Sequence, residues 1–168
     1  MTNYPGTMYD FHVWANQTMI NRLKELPREL YTQEIQSVFP TVAKALSHIY
    51  IVDCTWLNIL NGASMNDAMA ATRAREAQVE ALSLEELEAL YQELSEGYRS
   101  FLREHPDLEQ TLVLDNPYAG IRDTSYGEII LQVVNHGTYH RGNMTAMLRQ
   151  MGHPSTMTEY ALYWYAKA

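Results

Sequence analysis

Residues 125–151 read SYGEIILQVVNHGTYHRGNMTAMLRQM, and this run decides the fold class. It opens with Ser125-x-x-Glu128, a capping box in which each side chain can satisfy a backbone amide left free at the start of a helix. Ile129, Val133, His136, His140, Met144, Met147 and Met151 then recur at three- and four-residue steps, which places them on one helical face. Gly152 and Pro154 close the run, because glycine accepts the left-handed turn after a helix and proline cannot continue one. The stretch predicts a long helix with two histidines inside its apolar row.

The same periodicity appears in three segments upstream. The first runs from about Thr7 to Leu26, with Met8, Phe11, Ala15, Met19, Leu23 and Leu26 in step, and Pro27 closes it. The second begins near Pro40 or Thr41 and carries Ala45, His48, Ile49, Val52, Trp56 and Ile59 to a stop at Asn61-Gly62. The third starts at a second capping box, Ser83 with Glu86. Its seam is Leu84, Leu87, Tyr91, Leu94, Tyr98 and Phe101, and His105-Pro106 ends it. Between the second and third helices, Ala63–Leu82 has weak periodicity and reads as a loop, with or without a helical turn. Thr111–Asp123, centred on the turn-forming Asp115-Asn116-Pro117, predicts a short β-hairpin or extended loop. Thr158–Tyr165 predicts a last turn of helix. The expected fold is all-α, a helix bundle in a single domain spanning 1–168.

Composition narrows the function classes. Nearly half of the 168 residues are hydrophobic, enough for a sizeable core. The formal net charge is −8, and the 12 basic residues are scattered, which argues against a nucleic-acid surface. No stretch approaches the roughly 18 apolar residues of a membrane span. The N-terminal residues lack the basic start and apolar run of a signal peptide, and the single Cys54 cannot form an intramolecular disulfide. A soluble, cytoplasmic protein that binds neither membrane nor nucleic acid is expected.

The chemistry lies in the histidines. His136-Gly-Thr-Tyr-His140 places two imidazoles one turn apart on one face. A pair alone makes a weak metal site, and His48 is the natural third ligand because its helix also turns it into the apolar stripe. Several imidazoles buried together need partners for their nitrogens, and a shared cation would serve all of them. Neutral imidazoles suit zinc, nickel, iron or copper better than magnesium or calcium. Gly137 stands where the H-E-x-x-H protease signature has its glutamate, so that chemistry is not supported. A three-histidine site with an open position can lower the pKa of bound water to about 7 or take a thiolate directly. Other residues receive plainer readings. His12 falls beside the buried row of the first helix, toward a bundle end. Asp53 reads as a surface charge rather than as support for a ligand. Cys54 reads as core, and His105 and His153, each before proline, read as solvated or capping groups.

These motifs resemble the DinB family, bacterial DNA-damage-inducible, metal-binding four-helix bundles. Tyr9-Asp-Phe-His-Val-Trp14-Ala-Asn16, Ala45-Leu-Ser-His48-Ile and Val134-Asn-His136-Gly-Thr-Tyr-His140-Arg141-Gly142 carry the likeness, which covers almost the whole chain. The resemblance implies an up-down-down-up bundle, a metal site of His48, His136 and His140 at one end, and frequent homodimers. Related proteins are similar to metal-dependent thiol transferases and mycothiol-linked isomerases. The expected metal is zinc or nickel, ahead of iron or manganese. The expected function is a transferase or hydrolase that activates a low-molecular-weight thiol or water against a small electrophile, in stress response or detoxification. The alternative is a stress protein that binds metal or ligand without turnover. No further catalytic residue is assigned.

Overall fold

The computed structural model describes residues 4–166; the first three and last two residues of the expected 1–168 domain lie outside the described residues. The chain is mostly helical, with one two-stranded sheet among the described residues. Helix α1 spans Tyr4–Lys24, α2 Val42–Leu60, α3 Met65–Arg73, α4 Glu76–Glu80, α5 Leu84–Glu104, α6 Tyr126–Gln150 and α7 Tyr160–Ala166. A 3-10 turn, Arg28–Tyr31, follows Pro27. Strands β1 (Thr111–Asn116) and β2 (Gly120–Ser125) form the expected hairpin, antiparallel with Asn116 opposite Gly120. Gly120 sits at φ +95°, a left-handed conformation that a side chain disfavours and a tight hairpin turn requires.

Local chemistry fixes the helix starts. Both capping boxes are formed. The Ser83 amide donates to Glu86 Oε2 at 2.8 Å, and the Ser125 amide to Glu128 Oε2 at 2.9 Å. The reciprocal amides of Glu86 and Glu128 each donate to the serine hydroxyl at 3.2 Å. Thr41 Oγ1 caps α2 by accepting from the Lys44 amide at 3.1 Å. Such caps stabilise a helix by roughly 1 kcal/mol each.

The core is built from the expected rows. All six seam residues of α5 are buried, as are Ala45, Ile49, Trp56 and Ile59 of α2 and Ile129, Val133, Met144 and Met147 of α6. Helix α6 packs against α1 on one side and α2 on the other, and α5 contacts both α1 and α2. The short α7 lays Tyr163 against Phe11, Ala15 and Val134. With α6 seated between α1 and α2, any side chain on its inner face meets one helix or the other.

The reading of Ala63–Leu82 as a loop is corrected. Residues 65–73 and 76–80 are helical, and both helices pack on α2. Ser64 caps α3, accepting from the Asp67 amide at 3.1 Å. The buried positions are Ala68, Thr72 and Val79. Two of these are small or polar, so the helical period is present without the large apolar residues that make it visible. Thr72 Oγ1 lies 2.8 Å from Thr55 Oγ1, which replaces apolar contact with a buried hydrogen bond between α2 and α3.

Candidate metal centre

Helix α6 carries two stripes that face different neighbours. His136 and His140 lie one turn apart and meet His48 of α2. Gly137 and Arg141, each one residue further on, meet His12 of α1. The apolar rows of α2 and α6 bury their neighbours and so hold the imidazoles on the inner face. Met144, one turn beyond His140, is fully buried. Burying such a side chain contributes about 1.5–3 kcal/mol, which anchors the turn that carries the ring.

The first stripe builds the expected cluster. The ring centroids of His48, His136 and His140 lie 5.1, 4.7 and 4.4 Å apart in the pairs 48–136, 48–140 and 136–140. One nitrogen from each ring lies within 4.8 Å of the other two. His48 Nε2 and His136 Nε2 are 3.2 Å apart. Two nitrogens on one tetrahedral ion, bonded at about 2.1 Å, would stand about 3.4 Å apart, so this spacing fits a shared ion. Asn143 Nδ2 lies 3.2 Å from His140 Nδ1, which leaves Nε2 as the nitrogen free for an ion. Among the described residues, no carboxylate or thiol joins the three rings.

Electrostatics keep these rings neutral. Burial, and then the neighbouring His140, His48 and His12, push the His136 pKa down to about 3. Burial and His48 push His140 down to about 4. Burial lowers His48 as well, partly offset by the nearby charges of Glu76 and Asp53. At neutral pH all three rings therefore retain lone pairs, the state a metal needs. The Phe39 ring, 5.2 Å from the centroids of both His48 and His140, covers one side. Phe39 lies before α2 in a segment without periodicity, so nothing in the sequence marked it.

The second stripe builds a closed network. His12 Nε2 lies 2.7 Å from Asp53 Oδ2, and Arg141 Nη1 lies 3.2 Å from His12 Nδ1. One neutral tautomer satisfies both contacts: Nε2–H donates to the carboxylate and Nδ1 accepts from the guanidinium. Arg141 also donates to Asn16 Oδ1 at 2.7 Å and to Thr138 Oγ1 at 2.8 Å. Gly137 is what permits this approach. A Cβ there would lie 2.2 Å from His12 Cε1 and 2.9 Å from Arg141 Nη1.

One reading is corrected by this network. Asp53 is 1% exposed and pairs with His12 across the interior, so it is not a surface charge. Burial raises its pKa, and His12 and Arg141 pull it back. His12 is likewise 1% exposed, with both ring nitrogens engaged, and so is withdrawn from metal binding. A signal for Asp53 did exist. Apart from Lys44 it is the sole Asp, Glu, Lys or Arg in α2, and it sits within Ile49–Leu57, which is otherwise uncharged at neutral pH. Cys54, read as core, is half-buried against the main cluster, and burial pushes its thiol up to about 11. A thiol so placed is a poor nucleophile.

The sequence profile of the DinB family matches residues 1–167. The chain belongs to the DinB family. It is 47% identical over 165 residues to Protein DinB of Bacillus subtilis (strain 168), an alignment that covers 98% of this chain and 96% of that one. Within this DinB chain, the glycine between the two α6 histidines serves the His12 contact, which explains why the motif is H-G-x-x-H in physical terms. No helix among the described residues is long and apolar enough to cross a membrane.

Proposed function

We propose that this protein holds one divalent transition metal, zinc or nickel, on His48, His136 and His140, and acts as a metal-dependent transferase or hydrolase. The observation that supports this reading is the convergence of three uncharged imidazoles from two helices, which no carboxylate or thiol joins among the described residues. A metal there would have three protein ligands and an open position, the pattern of catalytic rather than structural zinc. Bound at the site, the ion would supply Lewis acidity, lowering the pKa of a thiol or water in that position.

The protein's own part is preorganisation. The rings are held by buried rows on α2 and α6, so ligation demands little rearrangement. Phe39 and the bundle interior keep water from one side. The up-down-down-up bundle and the homodimer implied by the family resemblance go with this reading.

The test is reconstitution. Protein stripped with a chelator should bind about one zinc or nickel ion per chain by calorimetry and elemental analysis. Loaded protein should then join a small thiol to an electrophile such as monobromobimane faster than stripped protein does. Absence of metal binding would defeat the whole reading. Tight binding without turnover would leave a metal-binding stress protein.

A further inference from the structure

His48 also forms one end of a cavity of about 330 Å³ between α2 and α3, which Tyr118 at the hairpin tip and Gln132 of α6 complete. That volume lies at the lower end of the range for small-molecule sites. The two helices run past one another so that the lining is graded. Thr55 meets Thr72 in the middle. Glu76 stands toward His48, on which its charge acts. Trp56 lies two turns from His48 along α2, and Met65 and Met69 precede Thr72 on α3, so these three form the other end. That end is aromatic and thioether, surfaces that accept flat apolar groups.

Arg73 lines the cavity beside its middle, one helical turn after Met69 and one before Glu76. It is exposed, and it has no ion pair or hydrogen bond among the described residues. Arg22, Arg28, Arg99, Arg122 and Arg141 are engaged, whereas Arg73, like Arg75, Arg103 and Arg149, is not, and of these four only Arg73 lines this cavity. An unpaired guanidinium at the edge of an apolar cavity is a ready receptor for a carboxylate, which it can grip with two hydrogen bonds.

We infer that this cavity takes the electrophilic substrate, and that this substrate is a small organic carboxylate with an aromatic or apolar body. Its body lies along Trp56, Met65 and Met69, and its carboxylate is held by Arg73. The identity of this pocket as the substrate site rests on the metal-centre reading above. Its ligand preference does not.

The probe is 2-naphthoate, with 2-naphthamide as its uncharged counterpart, titrated into the full chain carrying 13C-methyl methionine. In metal-stripped protein, naphthoate should bind saturably and shift the Met65 and Met69 methyl signals. The amide should bind at least about tenfold more weakly, as should naphthoate to Arg73→Met. Arg73 has no partner to lose, so that variant keeps its fold. Met69→Trp should fill the cavity and abolish binding. The same titration with cobalt-loaded protein should perturb the visible spectrum of the ion. No saturable binding, shifts confined to other methionines, or equal affinity for Arg73→Met would overturn the inference. A protein that binds naphthoate but no metal would instead overturn the metal-centre reading and leave the ligand preference standing.

Discussion

Two histidine clusters lie side by side on α6, and they are solved in opposite ways. Around His12 every charge has a counter-charge. Asp53 faces the ring, Arg141 faces its other nitrogen, and Asn16 and Thr138 accept further hydrogen bonds from the guanidinium. Around His48, His136 and His140 three bases converge, and among the described residues no carboxylate joins them. A closed network holds helices together, whereas a set of converging lone pairs waits for a cation. The contrast separates a structural histidine from a candidate ligand more sharply than burial does, since His12 is the most buried of the four.

The largest effect should come from breaking the closed cluster. Asp53→Ala leaves Arg141 buried without its counter-charge, and such losses cost about 3–5 kcal/mol. Urea denaturation of the metal-stripped protein reads this directly. His48→Ala under the same conditions should change stability far less, because no buried charge loses its partner. An Asp53→Ala protein within about 1 kcal/mol of the parent would erase the distinction between the clusters.

The converse experiment strikes the open cluster. His140→Ala should weaken zinc binding by more than about a hundredfold, since removal of even a supporting group typically costs ten- to a hundredfold. Its circular dichroism should remain that of the parent. If zinc still binds at full affinity, the ion is held elsewhere.

How far these clusters can be read from sequence differs in an instructive way. The open one is legible because its residues interrupt apolar rows: His48, His136 and His140 each occupy a position that periodicity reserves for core. The helices are legible for the same reason, and the serine–glutamate boxes mark two of their starts to the residue. The closed cluster is hidden because its members are complementary only in space. His12 and Asp53 are 41 positions apart, and His12 and Arg141 are 129 apart. Nothing local to Asp53 reveals that a histidine and an arginine wait across the interior. Helix α3 is hidden because its buried face uses Ala68 and Thr72, which carry little hydrophobic signal.

Gly137 is the point where the two stripes touch, so it offers a third, intermediate effect. Gly137→Ala introduces a Cβ into the space of the His12 ring. Because that ring is fully enclosed, the strain should destabilise the fold by about 1–3 kcal/mol. Combining the change with His12→Ala should cost less than the sum of the two single changes, since the ring that clashes is gone. Strict additivity in the double-mutant cycle would mean that the glycine serves some other purpose.

The smallest effect is a slope with pH, and here the clusters act with opposite signs. The open-cluster imidazoles titrate near 6.5 in the unfolded chain, but at about 3 for His136 and about 4 for His140 in the fold. Between these values the unfolded state binds more protons. Their contribution is therefore complete above about pH 6.5 and is lost as pH falls toward 4. Asp53 has its pKa raised by burial, so acidification through its folded pKa favours the fold instead. The histidines begin to act at higher pH, and partial exposure of His48 and His136 to solvent moderates their share. Metal-stripped protein should thus lose stability in urea between about pH 6.5 and pH 5, and His136→Gln combined with His140→Gln should flatten that slope. Zinc should steepen it, because the ion keeps the folded rings unprotonated while the unfolded chain still takes up protons, and acid weakens the binding itself. An unchanged slope in the double variant would show that His136 and His140 do not carry the acid sensitivity.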